Sequence, residues 1–167
     1  RWPAYFAVSS SAQQNFAKCF EMEKNWNRAE TEYRFLIDNY SSSQEALSAY
    51  LYLAKKASDD GRAAEANQWY ERADKAYREL ATKNVGTADE ARALYFLADL
   101  HRQKQEWSAA ATTLAQVFSK FPMTEPGQKA AFMAAQVYRE KLNDNRAADS
   151  LIVALQQATI AGGLEEE

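Results

Sequence analysis

The chain has 167 residues, a formal net charge of −3, 47% hydrophobic residues, one Cys and one His. It is long enough for one domain with a real core. It has no run of about 18 apolar residues that could span a membrane, no dense Lys/Arg block for nucleic acid and no second Cys for an internal disulfide. Three Pro and five Gly, with Val and Thr sparse and Ala, Glu, Gln, Leu and Lys abundant, favour long helices over sheets or disorder.

The chain opens on Arg1-Trp2-Pro3 without an initiator Met, and is read as a piece of a larger or processed protein, with residues 1–9 the end of a preceding segment. Residues 11–24 place Phe16, Cys19 and Phe20 on one stripe, and 26–40 place Trp26, Ala29, Tyr33, Leu36, Ile37 and Tyr40 on another. Steps of three and four are the helical period. Ser42 with Glu45 has the spacing of a capping box opening a helix over 43–58, and Asp59-Asp60-Gly61 closes it, since Gly takes the left-handed conformation that ends helices. The next helix, from Arg62 to about Thr82, carries Ala66, Trp69, Tyr70, Ala73, Tyr77 and Leu80 and is longer than its counterparts. After the joint Lys83-Asn84-Val85-Gly86, Thr87 with Glu90 forms a second capping box for a helix over 88–104. A helix over 106–121 is stopped by Pro122. Thr124 caps the seventh helix, with Pro126 tolerated in its first turn. Asn143-Asp144-Asn145 is a turn before the eighth, whose small anchor is Ala147 or, one residue on, Ala148. Residues 161–167 are expected to be a disordered tail.

A small residue followed four on by a larger apolar one recurs at Ala29/Tyr33, Ala66/Tyr70, Ala110/Leu114 and Ala147/Leu151, with Ala-to-Ala spacings of 37, 44 and 37 residues. The small residue lets the second helix of a pair approach the first, and the larger one fills the gap. A pair with a half-covered apolar face must stack on neighbours, so the period implies helix pairs in a row and function through a surface.

These residues resemble the tetratricopeptide repeat family. Tyr50, Leu53, Ala54, Gly61, Ala66, Tyr70 and Ala73 match its motif in the second pair; Leu94, Leu97, Ala98, Trp107, Ala110 and Pro122 match in the third. Phe16, Ala17, Phe20, Trp26, Ala29 and Tyr33 match in the first, and Ala135, Tyr138, Ala147 and Leu151 in the fourth. The spacings exceed the family period of about 34 residues, and His101 replaces its usual aromatic. The resemblance implies an all-α, right-handed superhelical α-solenoid of four antiparallel pairs over 10–160, the pairs covering roughly 10–40, 43–82, 87–121 and 124–158. The phrase from Tyr33 to Ser43, echoed at Phe118-Ser119-Lys120-Phe121-Pro122, is similar to bacterial envelope members of the family, namely outer-membrane assembly lipoproteins and periplasmic coordinators of the Tol–Pal system. It implies a periplasmic or envelope-associated place, with the cytoplasm as the alternative.

Catalytic chemistry finds little support. His101 has no visible nucleophile or metal cluster beside it, and Cys19, on the stripe with Phe16 and Phe20, is expected to be a buried, inert thiol. Asp59-Asp60 and Asp144 lack the alternating spacing of a calcium loop. No Gly-rich phosphate loop occurs, and the four Trp are expected to be core wedges. The expectation is therefore a non-enzyme without cofactor or metal. In the family the first helix of each pair lines a concave groove. The matching positions are Gln14, Lys18 and Glu21, then Leu51, Lys55 and Ser58, then Tyr95, Asp99 and Arg102, then Phe132, Gln136 and Arg139. Apolar anchors with both charge signs suit a peptide or partner helix. The chaperone-clamping version of such repeats is disfavoured, because Lys18 and Lys55 stand where it uses Asn. The alternative function is self-assembly through stacked repeat surfaces, giving a homo-oligomer.

Overall fold

The computed structural model describes the backbone of residues 3–165 and the side chains of residues 9–160. Among the described residues there are eight helices and no strand: α1 (Pro3–Met22), α2 (Trp26–Asn39), α3 (Gln44–Asp59), α4 (Ala63–Lys83), α5 (Ala88–Gln103), α6 (Trp107–Lys120), α7 (Glu125–Lys141) and α8 (Asn145–Glu165). The protein is all-α, and its helices are joined by short turns.

Local chemistry sets most of the ends. Thr124 Oγ1 accepts from Gly127 N at 3.1 Å, with Pro126 in the first turn of α7. Thr87 Oγ1 accepts from Glu90 N. Gly61, with φ of +75°, closes the turn after α3. The cap of α3 is shifted from its expected place: Ser43 Oγ, not Ser42, accepts from Ala46 N at 3.1 Å, and Ser43 is buried. Glu45 is thereby free to reach α1, where its carboxylate accepts from Ser10 and Ser11.

Two boundaries differ from expectation. α1 begins at Pro3, so residues 3–9 of the stretch read as a preceding segment belong to the first helix. α8 runs through Gly162 and Gly163 to Glu165, into the expected tail. Residues 1–2, Trp2 among them, and 166–167 lie outside the described residues.

The chain divides into two compact units, Arg1–Ala76 and Tyr77–Glu167, the division falling within α4. In the first, α1 packs on α2, α2 on α3, and α1 also touches α3. Ala29, Tyr33, Leu36 and Ile37 form the buried stripe of α2, and the Tyr33 ring lies 4.7 Å from that of Tyr52. Burial, and after it the nearby Glu21 carboxylate, pushes both phenols up, well above the usual tyrosine range. Trp69 lies against Tyr50 and carries Arg34 and Arg72 over its ring at 4.7 and 4.4 Å.

In the second unit α5 packs on α6, α6 on α7 and α7 on α8, and α5 also touches α7. Its core is a run of small and branched side chains: Ala98 of α5, Ala111, Leu114 and Val117 of α6, and Ala130, Ala134 and Val137 of α7. Burying each branched aliphatic is worth about 1.5–3 kcal/mol, and the alanines bring the helix axes close enough for this. Tyr77 is fully buried beside Phe96, with ring centroids 5.9 Å apart.

The anchor of α8 is decided here. Ala148 is fully buried and Ala147 is not, so the small residues in register are Ala29, Ala66, Ala110 and Ala148. Two apolar assignments on α1 change as well. Cys19 is exposed, not buried, and Phe16 is 51% exposed. Of the described Trp residues, Trp69 is a buried wedge, Trp107 is half-buried and Trp26 is exposed with Lys56 over its ring at 4.6 Å.

Candidate functional site

The expected groove residues fall into two sets, one in each unit. In the first unit the α1–α3 face is polar and bonded to itself. Gln14 Nε2 donates to Ser48 Oγ at 3.3 Å across the two helices, Lys18 Nζ donates to Gln14 Oε1, and Lys55 pairs with Asp59. Leu51, expected as an apolar anchor, is buried and so offers nothing to a partner. The reason is the setting of α3, whose buried residues Ala46, Leu47, Ala49, Tyr50, Leu51, Leu53, Ala54 and Ala57 cover far more than one stripe. Ser58 is exposed at the end of α3.

The second unit is different. Tyr95 of α5 is half-buried and its hydroxyl donates to Met133 Sδ of α7 at 2.9 Å. One turn on, Arg102 Nη1 donates to Asp99 Oδ1 at 2.9 Å. Burial pushes the Asp99 carboxyl up, with Arg102 opposing, and burial also raises the Tyr95 phenol, helped by Asp99. On α7, Phe132 is 60% exposed and Gln136 and Arg139 follow on the same face. Gln136 Nε2 donates to Glu140, and Arg139 Nη2 reaches Asp149 of α8 at 2.7 Å.

Phe132, Gln136 and Arg139 converge on one open groove between α7 and α8, completed by Ala135, Glu140 and Ile152, with a volume of about 170 Å³. Its floor is apolar and its rim carries an amide and both charge signs. The sequence reading missed Ile152, Ala135 and Glu140. The signal for two of them was present: Ile152 stands 38 residues after Leu114, as Ala148 does after Ala110, and Ala135 stands 37 after Ala98.

A second, much smaller cleft, of about 30 Å³, lies in the first unit between Trp26, Tyr52, Lys56, Arg62, Glu65 and Trp69. Its charges are paired with one another or with Asp60, Lys56 and Arg62 both reaching Asp60 and Arg62 also reaching Glu65, which leaves little for a ligand to satisfy. His101 is half-buried, with Nδ1 2.6 Å from Glu106 Oε2 in the turn after its own helix. Among the described residues no group of three or more His, Cys, Asp or Glu is placed to hold a metal ion, and no helix is long and apolar enough to cross a membrane.

No protein-family model matches the sequence. No curated protein matches it. The functional reading therefore stands on the repeat pattern and on this groove.

Proposed function

We propose that this chain is a non-enzymatic protein-interaction scaffold of the tetratricopeptide kind, built from right-handed superhelical stacking of helix pairs, and that it takes a partner helix in the groove between α7 and α8. The observation that supports this is an equivalence of register. In the second unit, α7 seats Ala130, Ala134 and Val137 against Ala98 of α5 and Ala111, Leu114 and Val117 of α6. Moved on by one pair, Tyr95, Ala98 and Leu114 become Phe132, Ala135 and Ile152, which line the open groove. The groove thus repeats a seat that already holds a helix one pair earlier. Its occupant is an amphipathic helix with apolar side chains at i, i+4 and i+7. Tyr95, Asp99 and Arg102 belong to the same face but are engaged with Met133 or with each other, so Phe132 is the anchor. The phrase from Tyr33 to Ser43 supports a place in the bacterial envelope.

A synthetic peptide copying residues 124–142, the helix that fills the preceding seat, tests the reading. Labelled peptide should bind the chain in fluorescence anisotropy. Phe132→Ala should weaken binding by about 30-fold, as expected for an anchor worth about 2 kcal/mol. Glu71→Ala, on an exposed part of α4, should leave it unchanged. Equal losses from both substitutions, or no binding by the unaltered chain, would overturn the proposal.

A further inference from the structure

α1 stands in the chain where α3, α5 and α7 stand in later pairs, yet one of its faces is uncovered. Ala12, Phe16 and Cys19 lie at i, i+4 and i+7. The positions equivalent to Ala12 are Ala49, Ala93 and Ala130, and those equivalent to Phe16 are Leu53, Leu97 and Ala134; all six are buried. Of the three positions equivalent to Cys19, Leu100 and Val137 are buried as well and Lys56 is half-buried. On α1 the same three positions are exposed, Phe16 by 51%. This is the stripe by which α7, through Ala130, Ala134 and Val137, enters the seat formed by α5 and α6.

Among the described residues both halves of one packing motif are therefore exposed: the entering stripe on α1 and the receiving groove between α7 and α8. We infer that the occupant of that groove is α1 of a second copy of this chain, Phe16 lying over Ala135 and Ile152 and Cys19 beside Gln136, so that copies associate head to tail. This rests on the reading of the groove as a helix seat and names its partner. The substitution of Phe16 for the alanine found at the equivalent place in α7 suits it. The groove is open where the preceding seat is closed, and a ring fills space that a methyl group leaves empty. The rim, carrying Gln136, Arg139 and Glu140, accepts the polar flank of α1, which presents the exposed Lys18. A contact of this kind uses different patches on the two copies, so it propagates beyond a dimer unless it closes into a ring.

The test is sedimentation equilibrium of the unaltered chain over a wide concentration range, with two single variants. The weight-average mass of the unaltered chain should rise past that of a dimer. Phe16→Glu spoils the stripe and keeps the groove; Phe132→Glu spoils the groove and keeps the stripe. Each alone should associate at least about tenfold more weakly, because a carboxylate would be forced into an apolar contact. Mixed in equal amounts, the two should form a 1:1 dimer and nothing larger, through the one intact stripe and the one intact groove. Circular dichroism of each variant checks that the helices persist. In a chain with Gln136→Cys, mild oxidation should link Cys19 to the new thiol and give a ladder on non-reducing gels, whereas Ser119→Cys, on exposed α6 surface, should give none. A chain that stays monomeric while still binding the 124–142 peptide would refute self-docking and leave the helix seat standing. A chain that does neither would overturn both readings. Association unaffected by either Glu substitution would show that copies meet elsewhere.

Discussion

Glu90 offers the sharpest test of how the second unit is held together. It is 6% exposed at the start of α5, and its two oxygens are both engaged: Oε2 accepts from the Gly86 backbone N–H at 2.6 Å and Oε1 meets Lys120 Nζ of α6 at 2.5 Å. Burial by itself would raise its pKa, but the bonds from Lys120 and Gly86 outweigh it, and the carboxyl is held below its ordinary value. Replacing Glu90 by Ala leaves the Gly86 N–H without its partner and removes the link between α5 and α6. A charged hydrogen bond to a buried group is worth about 1.5–3 kcal/mol. The Lys120 side chain is 46% exposed, so its share is discounted by solvent to no more than about 1 kcal/mol. Glu90→Ala should therefore cost about 2–4 kcal/mol. Glu90→Gln, which can still accept from Gly86, should cost about 1–2 kcal/mol. Urea unfolding at pH 7, followed by Trp fluorescence and circular dichroism, measures both. The pH dependence fixes the sign. A carboxyl whose folded pKa is depressed contributes stability that is present above its unfolded pKa and is lost as pH falls through the folded value. The gap between the unaltered chain and Glu90→Gln should then be full at pH 7 and shrink progressively below the ordinary carboxyl pKa of 4.5. A gap of the same size at pH 3 and pH 7, or no gap at pH 7, would refute the argument.

Three further outcomes follow from the packing. Ala148→Leu should destabilise the chain by about 1–3 kcal/mol through overpacking a fully buried site, whereas Ala147→Leu, one residue away and only half-buried, should cost well under that; thermal melts of the two separate the registers. Gly127→Ala should be among the more damaging single-methyl changes, because a Cβ there would stand 1.8 Å from the Phe121 carbonyl oxygen. The backbone at the α6–α7 turn must move to admit it, and the loss should show as a lowered urea midpoint of at least about 2 kcal/mol equivalent. Cys19, exposed on α1, should react with a thiol reagent in the native state as fast as in urea to within about tenfold; protection by orders of magnitude in dilute, monomeric protein would contradict the placement of its stripe.

The helices and most of their ends follow from short-range features of the chain. Those signals are local: a Thr side chain reaches a backbone N–H three residues on, a Pro cannot continue a helix, a Gly accepts a positive φ, and each acts whatever packs alongside. Thr124, Thr87, Pro122 and Gly61 were legible for that reason, whereas the greater length expected of α4 holds against α2 and α6, at 21 residues to 14, and not against α8, which also spans 21. The repeat was legible too, because small and large side chains at a fixed step state which faces must meet. Exposure was not. Leu51, Tyr95 and Phe132 hold one register position, yet the first is buried, the second bonds Met133 and the third stands open. Phe16 and Cys19 look like core by period and lie on the surface. Ala147 and Ala148 are indistinguishable until the turn before α8 sets its rotation, and Ser43 displaces Ser42 as a cap by a single step of the chain. In each case what a residue does depends on whether another helix lies over it, and that is a property of the neighbours. The packing of neighbouring helices sets which apolar positions stay uncovered, and Phe132 in the groove between α7 and α8 is one of them.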